Sequence, residues 1–353
     1  MKRILIFLLT IIVYRLMAQT PQTDSHWIMN NTFSDEFNSS MKNIWLIFNK
    51  KASWGSSYFR PQNIEFGYDN DREYIRFIGE MKNGIPYTGG IVLGPHYNGI
   101  TGLGYGYYEI EARLLQTSGI ISGLWPTFWT HHSSTNPPPH WNEEIDIFEP
   151  NNYQVRRNEH HVGYWYTINE ELPAEGNNLD KMKGFKYDVD MSAWHKYAAE
   201  WLPGRLTFYI DDTAFFVLST VNGAPTPSHQ NPNLFIDLQT DDDLSPPNIA
   251  NGLLGYFDVN YFRYYQLECD NAVINSCSYN FSTYNYKVKK SITIGGSGCS
   301  NSLLAGDNVS LRATDFIEIK GDFYVPVGAE LYLDVNPCSG ISTIIKVDRE
   351  HEE

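Results

Sequence analysis

Cysteine is missing from the first 268 of the 353 residues; Cys269, Cys277, Cys299 and Cys338 all fall in the last quarter. Their spacing contains no CxxC pair and fits zinc poorly. Disulfides formed in an oxidising compartment are the better reading, with three pairings open. Basic side chains are also scarce, 26 against 41 acidic ones, for a formal net charge of −15. A general binder of phosphate backbones is thereby excluded, because nothing would neutralise the nucleic acid. Beyond the N-terminus no stretch is long and apolar enough to span a membrane, and no long segment carries a helical period. Zinc, haem and nucleotide patterns are lacking. Gly102-Leu-Gly-Tyr-Gly106 has no Lys-Ser/Thr to complete a phosphate loop.

What is present is aromatic: 9 Trp, 24 Tyr and 19 Phe. That abundance favours strands, and flat rings suit flat, weakly charged ligands such as sugars. An apolar share of 42% is too high for a disordered chain. At the N-terminus Lys2 and Arg3 precede an apolar run from Ile4 to Val13, too short to cross a bilayer but suited to a signal-peptide core. Residues 1–18 are read as that signal, with cleavage near Ala18, and the protein as secreted, periplasmic or displayed at the cell surface. A buried first strand or helix is the alternative.

From Trp27 to Glu268 the chain runs in short alternating segments broken by Gly, Pro, Asn and Asp. Examples are Arg205-Leu-Thr-Phe-Tyr-Ile210 and Leu234-Phe-Ile-Asp-Leu238. Period-two alternation rich in Tyr, Phe and Ile reads as strand. The expected fold is therefore all-β, a β-sandwich or barrel making one domain over residues 24–268. Residues 269–353 read as a linker and a small cysteine-bearing β module, with very short strands at Val309–Leu311, Phe316–Ile319, Phe323–Val325 and Leu331–Val335. Through Gly321-Asp-Phe-Tyr-Val-Pro-Val-Gly328 and Cys338 it resembles a module found at the ends of secreted Bacteroidetes proteins. Disulfides suit a unit with so small a core.

The most informative stretch is Trp141-Asn-Glu-Glu-Ile-Asp-Ile-Phe-Glu149. Glu144 and Asp146 alternate with Ile145 and Ile147, so the two acids share a strand face. Strict alternation would then send Glu149 into the core, where an unpaired carboxylate is costly. One inserted residue, a β-bulge around Phe148, returns Glu149 to the acid face. Three carboxylates in a row should titrate as a coupled set. Glycoside hydrolysis needs such a set, with one group ionised as nucleophile and another protonated as acid. An exposed acidic edge strand or a calcium site are the alternatives.

The flanking residues add a resemblance. Phe33-Ser-Asp-Glu-Phe-Asn38, Gly89-Gly-Ile91, Tyr105–Arg113, Gly123-Leu-Trp-Pro-Thr-Phe-Trp129, Trp194–Trp201 and Phe257–Tyr265 occur in order around the acid motif. Together the stretch from about Phe33 to Gln266 resembles glycoside hydrolase family 16. The resemblance implies a curved two-sheet jelly-roll with a concave substrate cleft and endo-acting, retaining hydrolysis of β-linked glucans or galactans. It implies Glu144 as nucleophile, Asp146 as assisting acid and Glu149 as acid/base. Phe148 matches the extra residue of the bulged subgroup, which includes laminarinases, agarases, porphyranases and carrageenases. Two departures stand out: Glu143 where laminarinases usually have Gly, and Pro150 directly after Glu149.

Further candidates surround the acids. Trp125 and Trp129 share a strand face and either stack on sugar or pack in the core; Trp141 could line the same cleft. Glu109, on a strand expected beside the acid strand, either bonds a sugar hydroxyl or forms a surface salt bridge. His161 should share a face with Gly163 and Trp165, turned toward the acids, the alternative being a polar edge residue. Asp241, Asp242 and Asp243 suggest a cation but more commonly mark a solvated loop. No cofactor is required. The family resemblance implies a structural calcium on the convex side, with Asp258 as candidate ligand. The expected partner is a polysaccharide, bound by a monomer. A non-catalytic carbohydrate-binding protein and a transglycosylase remain alternatives. Sulfated substrates would need local cations such as Arg60, Arg113, Arg156 and Arg157.

Overall fold

A computed structural model describes residues 20–22, 26–52, 55–120, 122–134, 141–150, 160–168, 180–186, 188–219, 226–227, 231–240, 247–284 and 287–335. The expected signal segment, the loop with Pro137 to Pro139, Arg156, Arg157, Asp241 to Asp243 and Cys338 lie outside the described residues. Among those described, no helix is long and apolar enough to cross a membrane.

Twenty-one strands are described. The first seven are β1 (Trp27–Met29), β2 (Leu46–Ile47), β3 (Tyr58–Phe59), β4 (Ile64–Asp69), β5 (Arg72–Lys82), β6 (Ile85–Thr88) and β7 (Gly90–Leu93). Then follow β8 (Gly106–Gln116), β9 (Leu124–Ser134), β10 (Trp141–Pro150), β11 (His160–Ile168), β12 (Asp180–Lys186), β13 (His195–Leu202) and β14 (Arg205–Ile210). The last are β15 (Thr213–Ser219), β16 (Asn233–Thr240), β17 (Gly252–Leu267), β18 (Val273–Ser276), β19 (Lys289–Ser302), β20 (Asn308–Tyr324) and β21 (Glu330–Val335).

The expected all-β sandwich is what forms. A seven-stranded antiparallel sheet runs β12-β11-β10-β9-β16-β7-β2. A ten-stranded sheet runs β15-β14-β13-β8-β17-β5-β6-β3, with β1 beside β17 and β4 beside β5. Period-two alternation explains how they meet. On β16, Leu234, Ile236 and Leu238 are fully buried, and on β8 Tyr108, Ile110 and Ala112 are too, all in one core shared by both sheets. Phe148 of β10 packs on Phe257 (5.6 Å between ring centroids) and Tyr197 (4.2 Å) of the opposite sheet, and Phe128 of β9 on Phe262 (5.9 Å). Each such ring taken fully out of water contributes about 1.5–3 kcal/mol.

The third sheet is built differently. β18, β19, β20 and β21 run parallel, each pairing with residues 18 to 25 positions later: Val273 with Ser291, Ile292 with Ile317, Val309 with Leu331. The short strands expected from Val309 to Val325 merge into the 17-residue β20, in which Gly321 adopts a positive φ of 74° that only Gly takes without strain. The core here is small, with Phe281, Tyr284, Ile292, Ile294 and Leu311 at its centre. A disulfide joins Cys277 to Cys299, and Cys269 is disulfide-bonded as well.

Candidate active site

The acid motif occupies β10, between β9 and β11 in the middle of the seven-stranded sheet. Ile145 and Ile147 turn into the shared core, so Glu144 and Asp146 take the sheet's outer face. Register breaks after Asp146 on both sides: β9 resumes at Phe148 opposite Phe128, and β11 at Glu149 opposite His161. This is the β-bulge. Phe148 joins the core with no exposure, and the added residue brings Glu149 back to the outer face two register positions from Asp146. Glu144, Asp146 and Glu149 thus stand opposite Trp165, Gly163 and His161 of β11. Glu144 and Glu149 are half-buried and Asp146 is buried. Pairing ends at Phe148 on one side and at Pro150 on the other, as a residue without an N–H donor dictates. Glu143 alternates to the inner side, and its charge adds to burial in raising the Tyr105 hydroxyl.

β9 supplies the next row. Trp129 lies opposite Asp146 and His131 opposite Glu144, with Trp125 and Thr127 on the same face. Trp129 stacks on Phe235 of β16 (4.1 Å between centroids, 13° between planes), and its Nε1 donates to Asp237 Oδ2 at 3.0 Å. Trp125 is half-buried opposite Gln239. Burial, then His96, lowers the His131 pKa to about 4, so this imidazole is neutral near pH 7. Trp141 opens β10 opposite Ser134 and Ile168, and His161 is the register partner of Glu149.

Two candidates sit elsewhere. Glu109 belongs to β8, which neighbours β13 and β17 in the ten-stranded sheet rather than β10. It faces away from the acids, fully buried, accepting from Tyr261 Oη at 2.8 Å and Gln22 Nε2 at 3.2 Å. Burial raises its pKa. Neither the sugar contact nor a surface salt bridge describes it. Asp258 is not free to ligate calcium: Arg76 holds it by Nε at 2.6 Å and a second nitrogen at 2.9 Å, and Arg113 Nε by a third bond at 3.0 Å. A cation there would have to displace two guanidinium groups. No cluster of three or more metal-ligating side chains occurs among the described residues.

Sequence reading missed a cavity on this same face. Phe48, Phe59, Tyr97, Trp129 and Phe235 form its walls, with Lys50, His131, Asp237 and Gln239 as polar lining. Half of the signal was in view: in Leu234-Phe-Ile-Asp-Leu238 the aliphatic residues face one way, so Phe235, Asp237 and Gln239 must face the other. The segment from Phe48 to Phe59 carries no comparable pattern.

Comparison with known proteins gives a consistent result. The family model for "Glycosyl hydrolases family 16" matches residues 77–240, which include β10 and its neighbours in the sheet. A beta-glucanase of Acetivibrio thermocellus is 24% identical over 263 residues, 73% of this chain and 69% of the relative. A beta-glucanase of Bacillus amyloliquefaciens is 24% identical over 273 residues, 75% of this chain and 99% of the relative. Among solved structures, the laminarinase catalytic domain from Thermotoga maritima superposes with a TM-score of 0.52 at 16% identity, covering 68% of this chain and 98% of that one; this likeness speaks for the fold.

Proposed function

We propose that the chain, whose residues 77–240 match the model for glycosyl hydrolases family 16, is an exported, endo-acting, retaining hydrolase of that family acting on a β-linked polysaccharide, a β-1,3-glucan or an algal galactan. Glu144 is the nucleophile, Asp146 its assisting acid and Glu149 the acid/base. One observation carries this assignment: the bulge that spends a residue in the core to return Glu149 to the face of Glu144 and Asp146. A strand with only a structural task would gain nothing from aligning three carboxylates, which repel one another.

The chemistry is a double displacement. Glu149 gives its proton to the glycosidic oxygen as Glu144 attacks the anomeric carbon; the bond to the leaving sugar breaks and a glycosyl ester forms on Glu144. Glu149, now ionised, takes a proton from water, which attacks the same carbon and frees Glu144. Two inversions leave the β configuration. Asp146, between the two, orients Glu144 and is coupled to both neighbours in its titration. The half-buried Trp125 and Trp129 support sugar stacking on that face. Export is supported by the basic-then-apolar N-terminus and by the Cys277–Cys299 disulfide.

Glu144→Gln removes the nucleophile while keeping the shape. Hydrolysis of laminarin or agarose should fall at least about 10³-fold while the polysaccharide still binds. Proton NMR of the first-formed product should show the β anomer. An α anomer would contradict double displacement, and an unaltered protein that cleaves no β-glycan in a broad panel would point to a binding protein instead. Longer products built on added acceptor sugars would identify a transglycosylase.

A further inference from the structure

The cavity beside the acid strand has a floor that the double displacement does not use. Its volume is about 200 Å³. Phe48 stacks against Phe59 (5.1 Å) and Phe235 (6.2 Å), and Tyr97 meets Phe235 edge-on at 5.5 Å. At the floor, Asp237 is 1% exposed and Gln239 4%; Thr127, the register partner of Asp237, is buried beside them. Among the described residues, Asp237 Oδ1 and Gln239 Oε1 have no hydrogen-bond partner. The side chains of Trp129, Gln239 and Thr127 act as donors that lower the Asp237 pKa, and none of them is assigned to Oδ1. Buried acceptors left without donors are costly and uncommon in folded proteins, so two on one side of a cavity mark a place where donors arrive from outside. Gly90 keeps that place open. A Cβ there would lie 2.8 Å from Asp237 Cβ, 3.1 Å from Phe48 and 3.2 Å from Phe59.

We propose that this cavity is a subsite for an uncharged sugar ring with free hydroxyls, which donate to Asp237 Oδ1 and Gln239 Oε1 beside the Trp129–Phe235 stack, and that a ring carrying sulfate or carboxylate there is rejected. The proposal rests on the reading of this face as the cleft of a glycan hydrolase. A sulfate ester brings further acceptors and negative charge to a floor that already presents acceptors and a carboxylate. Among the described lining residues Lys50 is the one Lys or Arg. Its ammonium lies over Phe48 and Tyr97 at 4.9 and 5.1 Å and makes the smallest of the contributions that hold the Asp237 pKa down. His131 is neutral near pH 7, so a sulfate would meet one cation beside a carboxylate. Strands are about 4.8 Å apart, which puts Asp237 two spacings, about 10 Å, from the acid strand. The subsite therefore reads a sugar flanking the one being cleaved.

Calorimetric titration of Glu144→Gln, which cannot turn substrate over, tests this with three probes: laminari-hexaose, agaro-hexaose and κ-carrageenan hexasaccharide. At least one of the two unsulfated ligands should bind, and the sulfated one at least tenfold more weakly. Adding Asp237→Ala should weaken the unsulfated ligand by about tenfold and narrow the gap. Gln239→Leu reports on the same floor if Asp237→Ala does not fold. Equal or tighter binding of the sulfated ligand, no binding of either unsulfated one, or unchanged affinity in folded floor variants would each overturn the subsite. Cleavage by the unaltered protein is scored separately. Cleavage of a sulfated polymer alone sinks the subsite and spares the hydrolase reading. The expected binding pattern without any cleavage sinks the hydrolase reading and spares the subsite.

Discussion

The outer faces of the two sheets begin from the same sequence device and end in different places. β8 carries Glu109 and Glu111 on alternate positions, as β10 carries Glu144 and Asp146. On β8 the positions directly opposite hold Arg263 for Glu109 and Lys196 for Glu111, while Arg113 of β8 faces Asp258, whose other neighbour is Arg76. Glu111 is gripped by Arg72 at 3.2–3.3 Å and by Asn260. On β10 the opposing positions hold His131, Trp129, Trp165, Gly163 and His161, with no Arg or Lys among them. Alternation decides that acids reach an outer face. The register decides which residue types stand directly beside them there, cationic side chains on β8 and aromatic, His or Gly residues on β10.

The comparison breaks most visibly at Glu149. Glu149→Gln should lower polysaccharide hydrolysis by about 10²–10⁴-fold, the usual worth of a general acid. An aryl glycoside with a good leaving group should keep its first step, because that departure needs no proton. Loss of less than threefold on polysaccharide would place the acid elsewhere. On the other sheet the cost should fall on stability instead. Asp258→Asn leaves the Arg76 and Arg113 guanidinium groups without their buried counter-charge, which costs about 3–5 kcal/mol. The denaturant midpoint should drop accordingly while kcat/KM per folded molecule holds. A fall in kcat/KM with the midpoint unchanged would show that the two faces are not separate in function.

This division of labour also marks what sequence could and could not reveal. The bulge was legible because a hydrophobic period of two has a definite phase, and Phe148 and Glu149 could satisfy it only with one residue added. The sandwich was legible for the same reason. Strand adjacency was not, which is why Glu109 was expected beside the acid strand when β8 pairs with β13 and β17. Asp258 looked like a free ligand because Arg76 lies 182 residues away and Arg113 145; pairing over such distances leaves no local pattern. In the last quarter, single-strand alternation could not disclose parallel pairing between residues 18 to 25 apart.

The finest distinction between the faces lies between two buried carboxylates, Glu109 and Asp237. Glu109 accepts bonds from Tyr261 and Gln22, whereas Asp237 accepts from Trp129 through Oδ2 and leaves Oδ1 without a partner among the described residues. Burial pushes the Asp237 pKa up to about 6, with Trp129, Gln239, Thr127 and Lys50 holding it from rising further. In the unfolded chain this proton leaves near pH 4. Between about pH 4 and 6 the folded protein keeps a proton that the unfolded chain has lost, so the Asp237 contribution to stability declines as pH rises through that window, by up to about 3 kcal/mol. Below pH 4 both states are protonated and nothing is lost; above 6 both are ionised and the loss is complete. Asp237→Asn removes this dependence. Glu109, raised in the same direction, slopes equally in both proteins and cancels in their difference. The stability of the variant relative to the unaltered protein, followed by denaturant melts at half-unit steps, should therefore climb from pH 4 to 6.5 and then level. A flat difference would mean that water already satisfies Oδ1, and the two faces would differ in their cations alone.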